Sequence, residues 1–209
     1  MWRREVERLI RRSAPGARLR LLDFGCGPGF LLQFCGEWFP SVRRVGVDLD
    51  RSVLRYASRQ LPAVSFLLTS ASRQGLPLAE GSFDVVAALH IVEHLEDPDR
   101  FLRDARRTLK RGGLLMLATP NPAGLGARIA GKRWTGLRED HISLRRPDEW
   151  RAAVERAGFR VRREGTTGLS GVPVLRRMPL AFLHWAPMLI WGFFPWQQGE
   201  AYICIADAA

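Results

Sequence analysis

Lysine is nearly absent from this chain: among 32 basic residues, only Lys110 and Lys132 are lysines. Cysteine is scarce as well. Cys26, Cys35 and Cys204 are odd in number, far apart, and form no C-x-x-C pair. That excludes a disulfide framework and a cysteine zinc site, and it predicts a reducing, cytoplasmic setting. The start, Met1-Trp2-Arg3-Arg4-Glu5, lacks the apolar stretch of a secretory signal. No internal repeat and no low-complexity tract is found. What is present is ordinary for a globular protein: 46% apolar and 25% charged residues exclude a disordered chain. A length of 209 residues predicts a single domain over 1–209 with its own core. The charge is the exception. Thirty-two basic against 21 acidic residues give +11. This points to an anionic partner (nucleic acid, a membrane surface or an acidic substrate), although so arginine-rich a surplus is also what a GC-rich coding sequence produces.

Residues 1–14 read as a basic amphipathic helix, with Val6, Leu9 and Ile10 among five arginines. Such a helix either packs on the domain edge or lies on a membrane or over a substrate. Strands and helices then alternate. Strands are predicted at Leu19–Phe24, Val42–Val47, Val64–Leu68, Phe83–Leu89, Leu114–Ala118, Phe159–Arg163 and Tyr202–Ala206. Helices are predicted at Gly29–Trp38, after the cap Asp50, after Asp97-Pro98 as far as Gly112-Gly113, and at Pro147–Ala157. This alternation predicts an α/β fold, an open and mostly parallel sheet with helices on both faces. Two stretches exceed ordinary loop length, a glycine-rich one at 121–146 and an apolar insertion at 165–200. Within the insertion, Met178–Trp196 has no charged residue over 19 positions, yet Pro179, Pro187 and Pro195 divide it. A lid over a lipophilic acceptor, a membrane-interface hairpin, core or dimer closure, and a membrane span are the competing readings.

The first strand runs into Asp23-Phe24-Gly25-Cys26-Gly27-Pro28-Gly29. Glycines there let the backbone approach a ligand, and the helix that follows points free N–H groups at an anion. Asp48 closes the second strand, 23 residues after Gly25, where a carboxylate can accept both hydroxyls of a ribose. The dinucleotide pattern G-x-G-x-x-G fails, because its third glycine is Phe30 and Pro28 removes an N–H. A ligand ending in a small carboxylate suits this loop better than a pyrophosphate.

Together with Val45-Gly46-Val47-Asp48, Gly81-Ser82-Phe83-Asp84-Val85-Val86, Val92-Glu93-His94-Leu95 and Leu109-Lys110-Arg111-Gly112-Gly113, this loop resembles the class I S-adenosylmethionine-dependent methyltransferases over about residues 20–165. Within that family it resembles the ubiquinone-pathway O-methyltransferases. It implies a Rossmann-like, twisted, seven-stranded sheet whose last strand is antiparallel. It also implies S-adenosylmethionine as cofactor, held by Asp23, Gly25, Cys26, Gly27 and Gly29 at its methionine part and by Asp48 and Leu49 at its ribose. Ser70 would meet the adenine, where relatives often carry an Asp, and His90 would lie beside the methionine tail.

His90, Glu93 and His94 share a face if 90–95 forms one helical turn, and such a turn can hold a divalent cation. Relatives that bind a magnesium-type ion carry E-x-x-E-H here and a further histidine. This chain has His90 in place of the first Glu, then Glu93, His94 and, further on, His141. Imidazole in place of oxygen weakens a magnesium site, so the metal set Glu93, His94 and His141 is the lesser expectation. His141 is instead expected to be the general base for a hydroxyl acceptor, the alternative being a histidine that merely anchors its loop. The function expected is methyl transfer to a hydroxyl of a lipophilic small molecule, with possible contact at the inner membrane face. An RNA 2′-O-methyltransferase and a non-catalytic cofactor-binding membrane-surface protein are the alternatives.

Overall fold

The computed structural model describes residues 2–14, 16–69, 75–167 and 197–209. Seven strands form one sheet: β1 (Arg20–Phe24), β2 (Arg43–Asp48), β3 (Ser65–Leu68), β4 (Phe83–Leu89), β5 (Leu109–Pro120), β6 (Phe159–Thr166) and β7 (Ala201–Ala208). Their order is β3-β2-β1-β4-β5-β7-β6. Pairs among β1 to β5 are parallel, and β7 is antiparallel to both β5 and β6. The expected seven-stranded sheet with an antiparallel last strand is therefore what forms. Strands β4 and β7 are buried along nearly their whole length, as inner strands of a sheet covered on both faces are.

Helices cover both faces. On one, α1 (Trp2–Arg12), α2 (Phe30–Trp38) and α3 (Arg51–Gln60) send Val6, Leu32, Cys35 and Leu54 into a core with Leu21, Val85 and Met116. On the other, α4 (Pro98–Thr108) and α6 (Pro147–Arg156) bury Phe101, Leu102, Trp150 and Val154 against Leu22, Val86 and Leu115. The caps read from sequence are made. Asp50 accepts from Ser52 N and Val53 N, and Asp97 from Arg100 N with Pro98 in the first turn. A short helix, α5 (Leu125–Ala130), follows β5 inside the stretch 121–146 that was expected to be loop.

One expectation is corrected. The helix after Asp97 stops at Thr108, not at Gly112-Gly113. Leu109 N closes it on Ala105 O, and the glycines lie in an irregularity at the start of β5, where the register with β4 slips between Phe83 and Val85. The N-terminal helix packs on the domain edge, one of its two expected readings. Val6 is buried, and Glu5 is fully buried with Arg8 at 2.7 Å and Arg162 and Arg163 each at 3.2 Å. A buried carboxylate needs such partners, and here they tie α1 to β6. Among the described residues, no helix is long and apolar enough to cross a membrane. The charge-free run 178–196 lies outside the described residues.

Candidate active site

The chain leaves β1 toward β2 and β3, and leaves β4 toward β5, so the order reverses between β1 and β4. In open α/β sheets a crevice opens there, at the carboxyl ends of the strands. The loop after β1 lines one half of it. Gly25, Gly27 and Gly29 all have positive φ, of 72°, 50° and 90°. A side chain at Gly25 would also stand 2.4 Å from Cγ1 of Ile91, because the turn after β4 packs onto the loop. Glycine at this position is thus required twice, by conformation and by space.

The loop's hydrogen bonds turn inward. Gly25 N and Cys26 N both donate to Val47 O, Gly29 N donates to Cys26 O, and Gly27 N donates to Asp48 Oδ2 at 2.9 Å. Pro28 has no N–H to give. The glycine loop itself is therefore not the anion cradle. The donors left for a carboxylate are those of the first turn of α2, whose N-cap Gly29 supplies no side-chain cap. Asp48 Oδ1 also accepts from Asp50 N at 3.0 Å, so this carboxylate fastens two loops together.

Asp23 and Asp48 lie near the carboxyl ends of the adjacent strands β1 and β2. Burial, and then the negative charge of Asp48, push the Asp23 carboxyl up from 3.8 to about 7. Folded protein thus holds an extra proton between those values, so stability falls as pH rises from about 4 to 7 and is flat above. Denaturation at pH 5 and pH 8 is expected to show Asp23→Asn gaining on the wild type at pH 8 by on the order of a few kcal/mol. A wild type with no such slope would remove the assignment. Two acidic groups held this close make a place for a cation. The Cys26 thiol is raised to about 12, first by burial and then by Asp23 and Asp48, so it is a neutral packing group. Leu49 is exposed at the rim, and Ser70 lies outside the described residues.

The other half of the crevice is a cleft of about 630 Å³ at the ends of β4 to β7, lined by His90, Glu93, His94, Trp134, Arg138 and His141 among others. His90 and Glu93–His94 do not form one helical turn. His90 is in the left-handed region at φ 55°, ahead of a 3-10 turn at Val92–His94. Its exposed ring still sits 3.5 Å from Glu93 Oε1, but among the described residues it is not one of the three groups that converge. Those are Glu93, His94 and His141, whose ligand atoms lie within 4.8 Å of one another. The two histidine rings meet edge to face, 4.7 Å between centroids.

Both imidazoles are held by one nitrogen. His94 Nδ1 is 2.9 Å from Asp140 O, and His141 Nδ1 is 2.7 Å from Gly136 O. A carbonyl only accepts, so each Nδ1 donates, and Nε2 is the nitrogen of each ring left for a further partner. Glu93 is 1% exposed, and among the described residues its Oε2 is buried without a hydrogen-bond partner. A buried carboxylate oxygen left unpaired is costly and marks a place where a further group is received. The loop bearing His141 is docked by Ser143, whose N donates to Glu93 O at 2.9 Å and whose Oγ donates to Leu95 O at 2.5 Å.

Trp134, Arg138 and Glu200 belong to this cleft and were not legible in the sequence. Trp134 Nε1 donates to Glu200 Oε2 across 66 positions, at 3.2 Å. Asn121, fully buried, donates to Gln197 O and Gly199 O, both at 2.9 Å, and so fixes the segment that carries Glu200. No local pattern announces such pairs.

A family model described as a methyltransferase domain matches residues 2–164. The chain is 34% identical, over 159 residues, to a probable S-adenosylmethionine-dependent methyltransferase of Mycobacterium tuberculosis, covering 76% of this chain and 55% of that protein. It is 32% identical, over 158 residues, to a ubiquinone biosynthesis O-methyltransferase of Chelativorans sp., covering 71% of this chain and 62% of that one. The chain thus spans between half and two thirds of the length of these relatives. A SAM-dependent methyltransferase from Archaeoglobus fulgidus has the same fold, with a TM-score of 0.66 at 20% identity over 98% of this chain and 94% of that chain.

Proposed function

The chain belongs to the class I S-adenosylmethionine-dependent methyltransferase family, and from that premise we propose that it methylates a hydroxyl oxygen of a lipophilic small molecule. The residues present fit the cofactor. An acidic pair, the buried Asp23 and the half-buried Asp48, suits a ligand carrying positive charge, and the uncapped first turn of α2 suits its carboxylate. When bound, S-adenosylmethionine supplies an electrophilic methyl group. Everything else falls to the chain. Asp48 would take the ribose hydroxyls, Asp23 would face the ammonium group, and a cation beside Asp23 favours its ionised form. Gly25, Cys26, Gly27 and Gly29 would shape the pocket, with Leu49 and His90 at its rim.

The single observation that carries the hydroxyl acceptor is the anchoring of His141 Nδ1 on Gly136 O, which leaves Nε2 of this cleft-lining ring for a substrate. An imidazole so fixed is a proton acceptor for a hydroxyl held between it and the cofactor half. His94, fixed the same way, supports the same polarity. The lipophilic character rests on the rim: Ile129, Leu137 and Ile142 stand exposed in the segments that flank the cleft. The name of the Chelativorans relative, an O-methyltransferase of ubiquinone biosynthesis, points the same way.

Glu93, His94 and His141 would hold a divalent cation if one is used, and Glu93 Oε2, unpaired among the described residues, fits that role. One carboxylate and two imidazoles, each with its second nitrogen on a carbonyl, suit a zinc-type ion better than magnesium. Such an ion would lower the pKa of an acceptor hydroxyl.

Incubating the protein with methyl-labelled cofactor and separate pools of quinols and phenols, lipids and RNA tests the reading. Label is expected in base-stable methyl ethers of the quinol and phenol pool. Label confined to RNA, or to nitrogen or carbon products, overturns it. Cofactor binding with no label in any pool would favour the non-catalytic alternative.

A further inference from the structure

The outer surface of α1, α2 and α3 departs from what a solvated helical layer requires. An exposed helix face is normally polar. On α2 it is aromatic: Phe30, Phe34 and Trp38 are 66%, 47% and 43% exposed and recur at i, i+4 and i+8. They make one stripe about 12 Å long. Leu32 and Cys35 of the same helix already fill the core, so the stripe is not displaced core. Phe34 and Trp38 stack with centroids 5.6 Å apart, and the Arg3 guanidinium lies 5.7 Å from the Trp38 ring.

The charge around the stripe is predominantly positive. The three helices carry eight arginines, Arg3, Arg4, Arg8, Arg11 and Arg12 on α1 and Arg51, Arg55 and Arg59 on α3, all exposed. Against them stand three glutamates. Of these, Glu5 is buried among arginines, Glu7 is paired with Arg3 at 2.9 Å, and Glu37 is the one on α2. We propose that this face seats the protein on an anionic lipid bilayer, with Phe34 and Trp38 entering the headgroup layer and the flanking arginines meeting lipid phosphates.

Charge decides the occupant. A second copy joined through a two-fold axis would oppose eight arginines to eight, which like-charge repulsion disfavours. Single-stranded nucleic acid is held in a basic groove that tracks its backbone, whereas this stripe is the convex side of a helix. Aromatic rings flanked by arginine are the composition of a membrane interface, and a basic surface is drawn to anionic lipid. The inference is independent of the acceptor: it concerns where the protein sits, not what it methylates.

The test uses the full chain with vesicles of phosphatidylcholine alone or with about a third phosphatidylglycerol. Cosedimentation is expected with the anionic vesicles at low salt, weakening as salt rises, and at least ~10-fold weaker with the neutral ones. Phe34→Ser/Trp38→Ser is expected to reduce binding by ~10-fold or more, with cofactor affinity by calorimetry unchanged. Phe34→Leu/Trp38→Phe is expected to restore it. Should the double serine variant melt early, Phe34→Glu alone gives the same reading, because its ring is half exposed and a carboxylate there repels the lipid. Anionic-vesicle binding indifferent to these changes overturns the proposal, as does a wild type that binds no vesicle. Loss of RNA binding or of self-association in the same variants, without vesicle binding, assigns the face to that partner instead.

Discussion

Replacing His141 by alanine is expected to lower turnover by about 10²–10⁴-fold while leaving cofactor affinity within about twofold. The separation of the two effects is the point of the measurement. His141 lies on a loop at the carboxyl ends of β4, β5 and β6 and the amino end of β7, on the far side of the crevice from the glycine loop and Asp48. Its Nδ1 is engaged by Gly136 O, and Nε2 is the only chemistry that the ring offers the cleft. Glutamine can keep a donor to Gly136 O but has no nitrogen that accepts a proton, so His141→Gln should fall as far as alanine. Near-wild-type turnover in either variant would leave His141 as a loop anchor. If both variants fail and turnover by the wild type is also lost on chelation and restored by zinc, the same side chain acts as a metal ligand beside Glu93 and His94.

Asp48→Ala is expected to act in the opposite way, lowering cofactor affinity by about 100-fold, with any residual turnover recovered at saturating cofactor. Asp48 accepts from Gly27 N at 2.9 Å and from Asp50 N at 3.0 Å. Each hydrogen bond to a charged group contributes about 1.5–3 kcal/mol, and losing a ribose contact together with the support of the loop amounts to about 3 kcal/mol, hence the factor of 100. The neighbouring carboxyl reports independently. Asp48 is the second cause of the raised Asp23 ionisation, after burial, so removing it should move the pH-dependent loss of stability to lower pH. Calorimetry with the cofactor and with its demethylated product checks the first effect. Affinity within threefold of wild type would place the ribose elsewhere.

Sequence alone carried the frame of this protein. Strand runs, the caps Asp50 and Asp97, and the glycine spacing are local, and local physics reads them: period, φ restriction and side-chain capping act within a few residues. The cofactor half of the crevice followed, because Asp23, the glycines and Asp48 all lie at the ends of adjacent strands whose order the alternation implies. The acceptor half was legible only as residue types. That His94 and His141, far apart in the chain, converge with the buried Glu93 depends on Ser143 docking one loop on the turn after β4. Where a helix ends is equally tertiary: α4 stops at Thr108 because β5 begins pairing with β4 there, although glycines stand four residues on.

The glycine loop shows the division most plainly. Its residues mark a ligand site by themselves, yet the direction of its N–H groups does not follow from them. Val47 O, Cys26 O and the Asp48 carboxylate take up those donors, which leaves the anion to the uncapped turn of α2. The basic surplus divides in the same way. Composition alone determined that an anionic partner was worth seeking. Only the packing of α1 against the sheet, which buries Glu5 with Arg162 and Arg163 and turns its other arginines outward beside an aromatic face of α2, decided which charges are structural and which are left to meet that partner. Burial separates like from like among identical side chains, and burial is a property of the assembled fold.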